Sequence, residues 1–196
     1  MNRRLTHRGR ERREQLMTEA TRRFAEHGYH LTTVGEIVDA VNVGKGVFYW
    51  YFASKEELFI EILRDAQLAL RKHQQSAIGS EPDPVRRIEL GIHASMRWLA
   101  DHRPLMRITQ FAVTEATFVE VIRQGQETAV ADLMRHVKEG VAEGRIRDAD
   151  PLVTTHAILG ITNALARQFI RSGDASIDVA GIAAEACAFV LHGLAP

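Results

Sequence analysis

The chain has 196 residues, 45% of them hydrophobic, and its 25 Lys and Arg balance 25 Asp and Glu to a formal net charge of zero. That length and composition fit one or two globular domains. A single cysteine, Cys187, excludes an internal disulfide or a cysteine-based metal cluster, and its apolar neighbours Ala186, Ala188 and Phe189 suit a buried thiol. The first fifteen residues lack the apolar core of a secretory signal, and no run approaches the roughly 18 uninterrupted apolar residues of a membrane span, so a cytoplasmic location is expected. The neutral total hides an asymmetry. Residues 1–55 carry ten Lys and Arg against six Asp and Glu, and the remainder carries fifteen against nineteen, so the basic surplus sits at the amino-terminal end.

Met1 to His7 reads as a mobile arm, with Arg3, Arg4, Arg8 and Arg10 available to a minor groove or to phosphates. A frayed, solvated terminus is the competing reading. From about 10 to 27 the apolar positions Leu16, Met17, Ala20 and Phe24 recur at helical spacing, and Gly28 is expected to stop the helix as a left-handed cap. Residues 32–57, TTVGEIVDAVNVGKGVFYWYFASKEE, hold the most specific pattern in the chain. Thr33 and Glu36 form a capping box, and Val34, Ile37, Val38 and Val41 line one face of a short helix. Asn42 stands where the chain must reverse, being the non-glycine residue that best tolerates a left-handed backbone.

From Gly44 to Phe52, Phe48 and Phe52 face the core four residues apart, leaving Lys45, Gly46, Val47, Tyr49, Trp50 and Tyr51 largely outside. Three consecutive aromatics span about 200° of a helix at roughly 100° per residue, so they cannot all enter one core. A cation, a glycine and aromatics on one face suit a polyanion with stackable, methylated edges. Ser54 and Glu57 make a second capping box, with Lys55 beside the next helix's free amides as a candidate phosphate site.

The stretch resembles the TetR-type transcriptional regulators in FAEHGY (24–29), TTV (32–34), the turn ending in Val43, KG (45–46) and YWYF-x-SKEEL (49–52 and 54–58). It departs from that pattern at Val38, Asn42, Gly44, Val47 and Phe48. Gly44 lacks the usual hydroxyl cap, and Val47 can offer a base only an apolar contact, such as with a thymine methyl. The resemblance implies an all-α protein with an amino-terminal three-helix helix-turn-helix domain and a carboxy-terminal helical domain for ligand binding and dimerisation. The expected DNA-binding set is Thr33, Lys45, Gly46, Val47, Tyr49, Trp50, Tyr51 and Lys55. Lys45, Tyr49, Tyr51 and Lys55 would hold phosphates, Gly46 would permit close approach, and Val47 and Trp50 would touch base edges or sugar.

Further along, helices are expected at about 55–75, 83–101, 104–116, 118–143, 150–171 and 176–193, with QQSAIGSEPDP as a loop between domains. Domain boundaries follow: 1–54 for DNA, 55–75 as a shared connector, 76–196 for effector and dimer. The helix from 151 is apolar nearly all round, and Ala180, Ala184 and Ala188 form a small-residue stripe on the last helix. Both features suit a homodimer built as a two-fold four-helix bundle; an intrachain core is the plainer account. Bulky or pliable residues between these parts, among them Leu99, Leu105 and Ile122, suggest an effector pocket. Its candidate residues are His93, Met96, Met106, Gln110, Phe111, Thr114, Phe118 and Asn163, for a small and largely apolar effector.

Nine histidines supply neither HExxH nor an i, i+4 pair, and no G-x-S-x-G elbow is present, so no metal, cofactor or catalytic function is expected. The reading is a ligand-responsive repressor that binds a palindromic double-stranded DNA operator as a homodimer. The rivals are an activator and an all-α small-molecule binder without regulatory activity.

Overall fold

The computed structural model describes residues 6–170 and 177–195. Among them are nine α-helices and no strand, the all-α class expected: α1 His7–His27, α2 Val34–Ala40, α3 Lys45–Tyr51, α4 Lys55–Ile78, α5 Pro84–Asp101, α6 Arg103–Thr114, α7 Val119–Ala142, α8 Pro151–Leu165 and α9 Val179–Leu194. A π-helical turn, Ala166–Ile170, continues α8. Arg3 and Arg4 of the expected arm lie outside the described residues.

Local side-chain chemistry sets most helix ends. The Thr6 hydroxyl accepts from the Gly9 amide at 3.2 Å, so α1 starts ahead of the apolar stripe that suggested residue 10. It stops at Gly28, whose φ of 86° is positive as expected but whose ψ of 157° lies outside the left-handed helical region, in a conformation reserved for glycine. Asn42 takes the left-handed conformation at φ 52°. In α2 the Thr33 hydroxyl accepts from the Glu36 amide at 3.2 Å while the Glu36 carboxylate accepts from the Thr33 amide at 2.8 Å, closing the capping box. At α4 the box is offset: Ser54 accepts from the Glu57 amide at 3.1 Å, but the Glu57 carboxylate takes the amide of Ala53. The first five residues of the segment read as a loop, 74–78, are helix. Helix α4 continues to Ile78 before Gly79, φ 53°, ends it, because Gln, Ser and Ala are tolerated in a helix when an apolar residue such as Ile78 has somewhere to pack. Asp83 and Asp150 then cap α5 and α8, each followed by proline in the first turn.

Two cores result. The first joins Leu16, Ala20 and Phe24 of α1 with Ile37 and Val38 of α2, Phe48 of α3, Phe52, and Leu58, Phe59, Ile62 and Leu63 of α4. It is closed by Ile108 and Ala112 of α6 and by Phe118, Val121 and Ile122 at the start of α7. At its centre the Tyr29 ring lies 5.5 Å from Phe24, 4.9 Å from Phe59, 5.5 Å from Phe111 and 5.2 Å from Phe118, and each such pair adds about 0.5–1.5 kcal/mol beyond area burial. Burial, with a hydrogen bond from the phenol to Glu56 at 3.0 Å, raises the Tyr29 pKa well above that of a free tyrosine.

The second core is aliphatic, with Ile88, Ile92 and Met96 of α5 against Met106, Val137, Ile146, Ile158, Ile170 and Val190. Cys187 is buried in it, and desolvation pushes its thiol up to about 11, consistent with an inert structural thiol.

Helices α4 and α7 cross at Gln67 and Gly125. The Gln67 amide donates to the Val121 carbonyl at 3.0 Å, and a Cβ at Gly125 would overlap the Gln67 side chain. The outer faces of α8 and α9 stay apolar and exposed. Val153 is 66% and Phe189 70% accessible, beside exposed Ala157, Gly160 and Ala164 on α8 and Ala180, Ala184 and Ala188 on α9. Among the described residues no helix is long and apolar enough to cross a membrane.

Candidate nucleic-acid interface and ligand cavity

Helix α3 is seven residues long and its N-cap, Gly44, makes no side-chain hydrogen bond, so its own chemistry hardly stabilises it. Phe48 and Phe52 hold it, buried to within 1%, together with a turn in which the Val43 amide donates to the Val38 carbonyl at 3.0 Å. The helix therefore presents its other face. Lys45, Gly46 and Val47 are exposed, and Tyr49 and Trp50 are 56% and 53% accessible. Tyr51 is half-buried, packed edge-on to Trp50 with ring centres 4.5 Å apart.

The Lys45 stem runs back across Gly35, where a Cβ would lie 3.5 Å from Lys45 Cε and 3.7 Å from the Thr33 hydroxyl. Thr33 and Lys45 thus share one surface. The Thr33 hydroxyl is committed, however: it accepts from the Glu36 amide and donates to the Glu36 carboxylate at 2.8 Å.

Lys55 departs from expectation. Its ammonium donates to the carbonyls of Tyr29 and Thr32, both at 2.9 Å, and lies 4.3 Å over the Tyr29 ring. Instead of standing ready for phosphate, it ties the start of α4 to the loop after α1. Two arginines outside the expected set also brace the motif. Arg12 donates to the carbonyl of Val41, at the end of α2, at 3.3 Å. Arg13 pairs with Glu61 at 2.6 Å and lies 5.5 Å over Phe52. Partners 29 and 48 positions away leave no local signal in the sequence.

A cavity of about 320 Å³ lies between α4, α5, α7 and α8. Its buried wall is Ile88, Ile92 and Ser95 of α5, His136 of α7, and Ile158 and Thr162 of α8; its rim includes Gln75, Gly79, Ala129 and Arg135. None of the eight residues expected at an effector site is among those lining it. Met96 and Met106 are packed in the aliphatic core, and Phe111 and Phe118 pack into the aromatic cluster. Thr114 is exposed, its hydroxyl donating to the Phe111 carbonyl at 2.8 Å. His93 and Gln110 are half-buried away from the lining, and Asn163 is exposed on the outer face of α8, one residue past Thr162. Periodicity separates buried from exposed faces but cannot say which buried face borders unfilled space.

Most polar groups of the cavity are paired. Arg71 binds Asp132 with two hydrogen bonds, 2.6 and 3.0 Å. Gln74 donates to the Ser95 hydroxyl at 2.8 Å, which donates to the Gly91 carbonyl at 2.6 Å; the Thr162 hydroxyl donates to the Ile158 carbonyl at 2.9 Å. Arg87 Nη1 reaches Glu139 at 2.8 Å and His136 Nδ1 at 3.3 Å, and its Nη2 donates to the Pro82 carbonyl at 2.7 Å. The Arg87 hydrogen bond holds the Glu139 carboxyl below its ordinary range. Burial, reinforced by Arg135 and Arg87, lowers the His136 pKa, so the ring is neutral near pH 7. Because Nδ1 faces a guanidinium donor it acts as acceptor, which assigns the ring proton to Nε2. Arg87 Nε is buried and finds no acceptor among the described residues.

Residues 16–62 match the family model for bacterial regulatory proteins of the tetR family, and residues 81–194 match that for the tetracyclin repressor-like C-terminal domain. The HTH-type transcriptional regulator YhgD of Bacillus subtilis is 26% identical over 157 residues, covering 79% of this chain and 82% of that protein. The HTH-type transcriptional repressor KstR2 of Mycolicibacterium smegmatis is 28% identical over 142 residues, covering 69% of this chain and 68% of that protein. In fold, the chain is similar to the transcriptional regulator FadR from Bacillus subtilis, crystallised in complex with stearoyl-CoA: the TM-score is 0.82 at 20% identity, covering 92% of this chain and 98% of that one.

Proposed function

This chain belongs to the TetR family of bacterial transcriptional regulators, and from that premise we propose that it is a ligand-responsive repressor acting as a homodimer on a palindromic operator. The observation that carries the reading is α3 itself, which sets Lys45, Gly46, Val47, Tyr49 and Trp50 in solvent on a helix whose Phe48 and Phe52 are locked in the core. Exposed aromatics beside a cation are costly in water and match a major groove flanked by phosphates. Lys45 and Tyr49 hold phosphates, with Tyr51 reaching from the edge of the face. Gly46 lets the backbone approach, and Val47 and Trp50 meet base edges or sugar.

Residues 1–54 form the DNA-binding unit, with α4 as connector and the remainder serving effector and dimer. The exposed apolar faces of α8 and α9 pair with those of a second copy in a two-fold four-helix bundle, which spaces two α3 helices for half-sites about 34 Å apart. The effector enters the cavity between α4, α5, α7 and α8. It releases the operator by binding the DNA-incompetent geometry more tightly, by about 5.5 kcal/mol for near-complete switching. A DNA partner and helices unsuited to membranes agree with a cytoplasmic location.

Binding to the chain's own upstream DNA, followed by fluorescence anisotropy across a salt series, tests the assignment. Lys45→Ala is expected to weaken binding to every sequence and to lower the salt slope by about 0.9, the share of one neutralised phosphate. An unchanged slope removes Lys45 from the phosphates. Phe189→Glu is expected to give a folded monomer that no longer binds the operator; a dimer that still binds would refute the α8–α9 interface.

A further inference from the structure

We propose that the cavity receives an uncharged, largely apolar molecule bearing a ketone or ester carbonyl, whose oxygen accepts a hydrogen bond from Nε2 of His136. The proposal rests on reading this cavity as the effector site.

The charges around the cavity are already matched. Arg71 holds Asp132 through two hydrogen bonds, 2.6 and 3.0 Å, and Arg87 holds Glu139 at 2.8 Å. Arg135 stands exposed on the rim, where an ion pair formed in water contributes little. A charged guest would lose its hydration on entering and find no unmatched opposite charge inside. An uncharged one avoids that loss, and Ile88, Ile92 and Ile158 give it a buried apolar floor. The guest is compact, because about 320 Å³ lies at the small end of ligand cavities, which run from roughly 300 to 1,000 Å³.

One donor on the buried wall is left over. The Ser95 hydroxyl donates to the Gly91 carbonyl and the Thr162 hydroxyl to the Ile158 carbonyl, so neither has a proton to offer. His136 is only 6% accessible, and its Nδ1 faces Arg87 at 3.3 Å, which puts the ring proton on Nε2. That nitrogen has no partner among the described residues. Unlike Arg87 Nε, it is not among the nitrogens sealed away without one, so surface is left on it, and the ring lines the cavity. Any guest that excludes water from this N–H must supply an acceptor in its place. A carbonyl oxygen does so and brings no proton of its own, whereas a hydrocarbon would cover the donor and leave it unpaired.

Calorimetric titration of the full chain with acetophenone, against ethylbenzene, benzoate and benzylamine as probes of similar size, tests this. Acetophenone is expected to bind, and the two charged probes to bind more weakly by about tenfold or more. His136→Phe keeps an aromatic ring and removes the donor. The ratio of acetophenone to ethylbenzene affinity should fall in it by about three- to tenfold from the parent's, the range of a net neutral hydrogen bond. Nitrogen NMR of the parent chain reads the same bond without a substitution: the His136 Nε2 resonance should move on adding acetophenone and hold on adding ethylbenzene. Gly91→Leu checks the location. A Cβ at Gly91 meets nothing nearer than Ile78 Cδ1 at 3.9 Å, so the added side chain grows into the cavity, and replacing a mid-helix glycine favours the helix. That variant should stay folded and bind none of the four.

The proposal is overturned if acetophenone does not bind, if benzoate or benzylamine binds as tightly, if the affinity ratio in His136→Phe and the Nε2 resonance in the parent both stay put, or if Gly91→Leu binds like the parent chain. Operator release is scored separately. Acetophenone that occupies the cavity without releasing operator overturns the effector reading and leaves the ligand assignment standing. Release by benzoate that disappears in Gly91→Leu does the reverse.

Discussion

Around Tyr29, rings contributed by α1, α4, α6 and the start of α7 meet within 5.5 Å and fill their share of the interior. Around Ile92, branched and unbranched aliphatic side chains pack the second core but leave a cavity of about 320 Å³ bordered by arginines and a histidine. The polar groups differ too. Near the aromatic cluster Lys55 satisfies two backbone carbonyls, whereas beside the cavity Arg71 and Arg87 are spent on the carboxylates of Asp132 and Glu139. One region is made to hold a single shape beneath the recognition helix. The other leaves space unfilled between four helices.

The sharpest way to break that comparison is at Phe59, which contacts Phe24, Tyr29, Phe111 and Phe118. Phe59→Ala should cost about 3–5 kcal/mol in urea unfolding; a cost below about 1 kcal/mol would mean the cluster can collapse and is no more rigid than the cavity region.

Lys55→Ala comes next, at about 1–3 kcal/mol of stability for the carbonyls left unpaired. Its DNA salt slope should match the parent's, since the ammonium is occupied within the chain. A slope reduced by about one phosphate's worth would restore Lys55 to the interface.

On the cavity side the expected signature is in pH. His136 is held neutral by burial, so the unfolded chain binds a proton near the ordinary value of 6.5 and the folded chain does so only at lower pH. The contribution to stability is complete above that value and falls as pH drops below it, by at most about 1.4 kcal/mol per pH unit. Glu36 and Glu139, whose pKa values are lowered, act only below about 4.5. Urea midpoints at pH 7.5 and 5.5 should therefore differ for the parent chain and converge in His136→Gln; equal midpoints in the parent would contradict a neutral buried ring. The smallest effect belongs to Trp50→Ala, within about 0.5 kcal/mol of the parent in stability despite the removal of a large aromatic, because its face is turned to solvent.

How much of the molecule is legible in the sequence depends on distance along the chain. The cap at Thr33, the left-handed residue at Asn42 and the inward pair Phe48 and Phe52 are all set by neighbours within a turn or two, and they can be placed from the residues alone. The outward face of α3 follows from the inward one. The extension of α4 to Ile78 is obscured by a polar, glycine-ended composition that also describes loops. Lys55 reads as a phosphate ligand in sequence because its partners lie 26 and 23 positions back. The cavity escapes for a related reason: unfilled space is a property of four helices together, and no single periodicity records it. Thr162 and Asn163 differ by one residue and about 100°, yet one lines the cavity and the other faces out.

The close crossing at Gln67 and Gly125 carries one more consequence. Helix α4 has 24 residues, about 36 Å of rod, and Gln67 stands near its midpoint. One end abuts the recognition motif through Lys55, and the other supplies Arg71, Gln74 and Ile78 to the cavity wall. A rod gripped at its centre would, on tilting, move its two ends together. A tilt of about 5° about that grip would swing each tip about 1.5 Å in opposite directions, given arms of about 18 Å, so a bulkier residue at position 125, overlapping Gln67, would be felt at both ends of the helix.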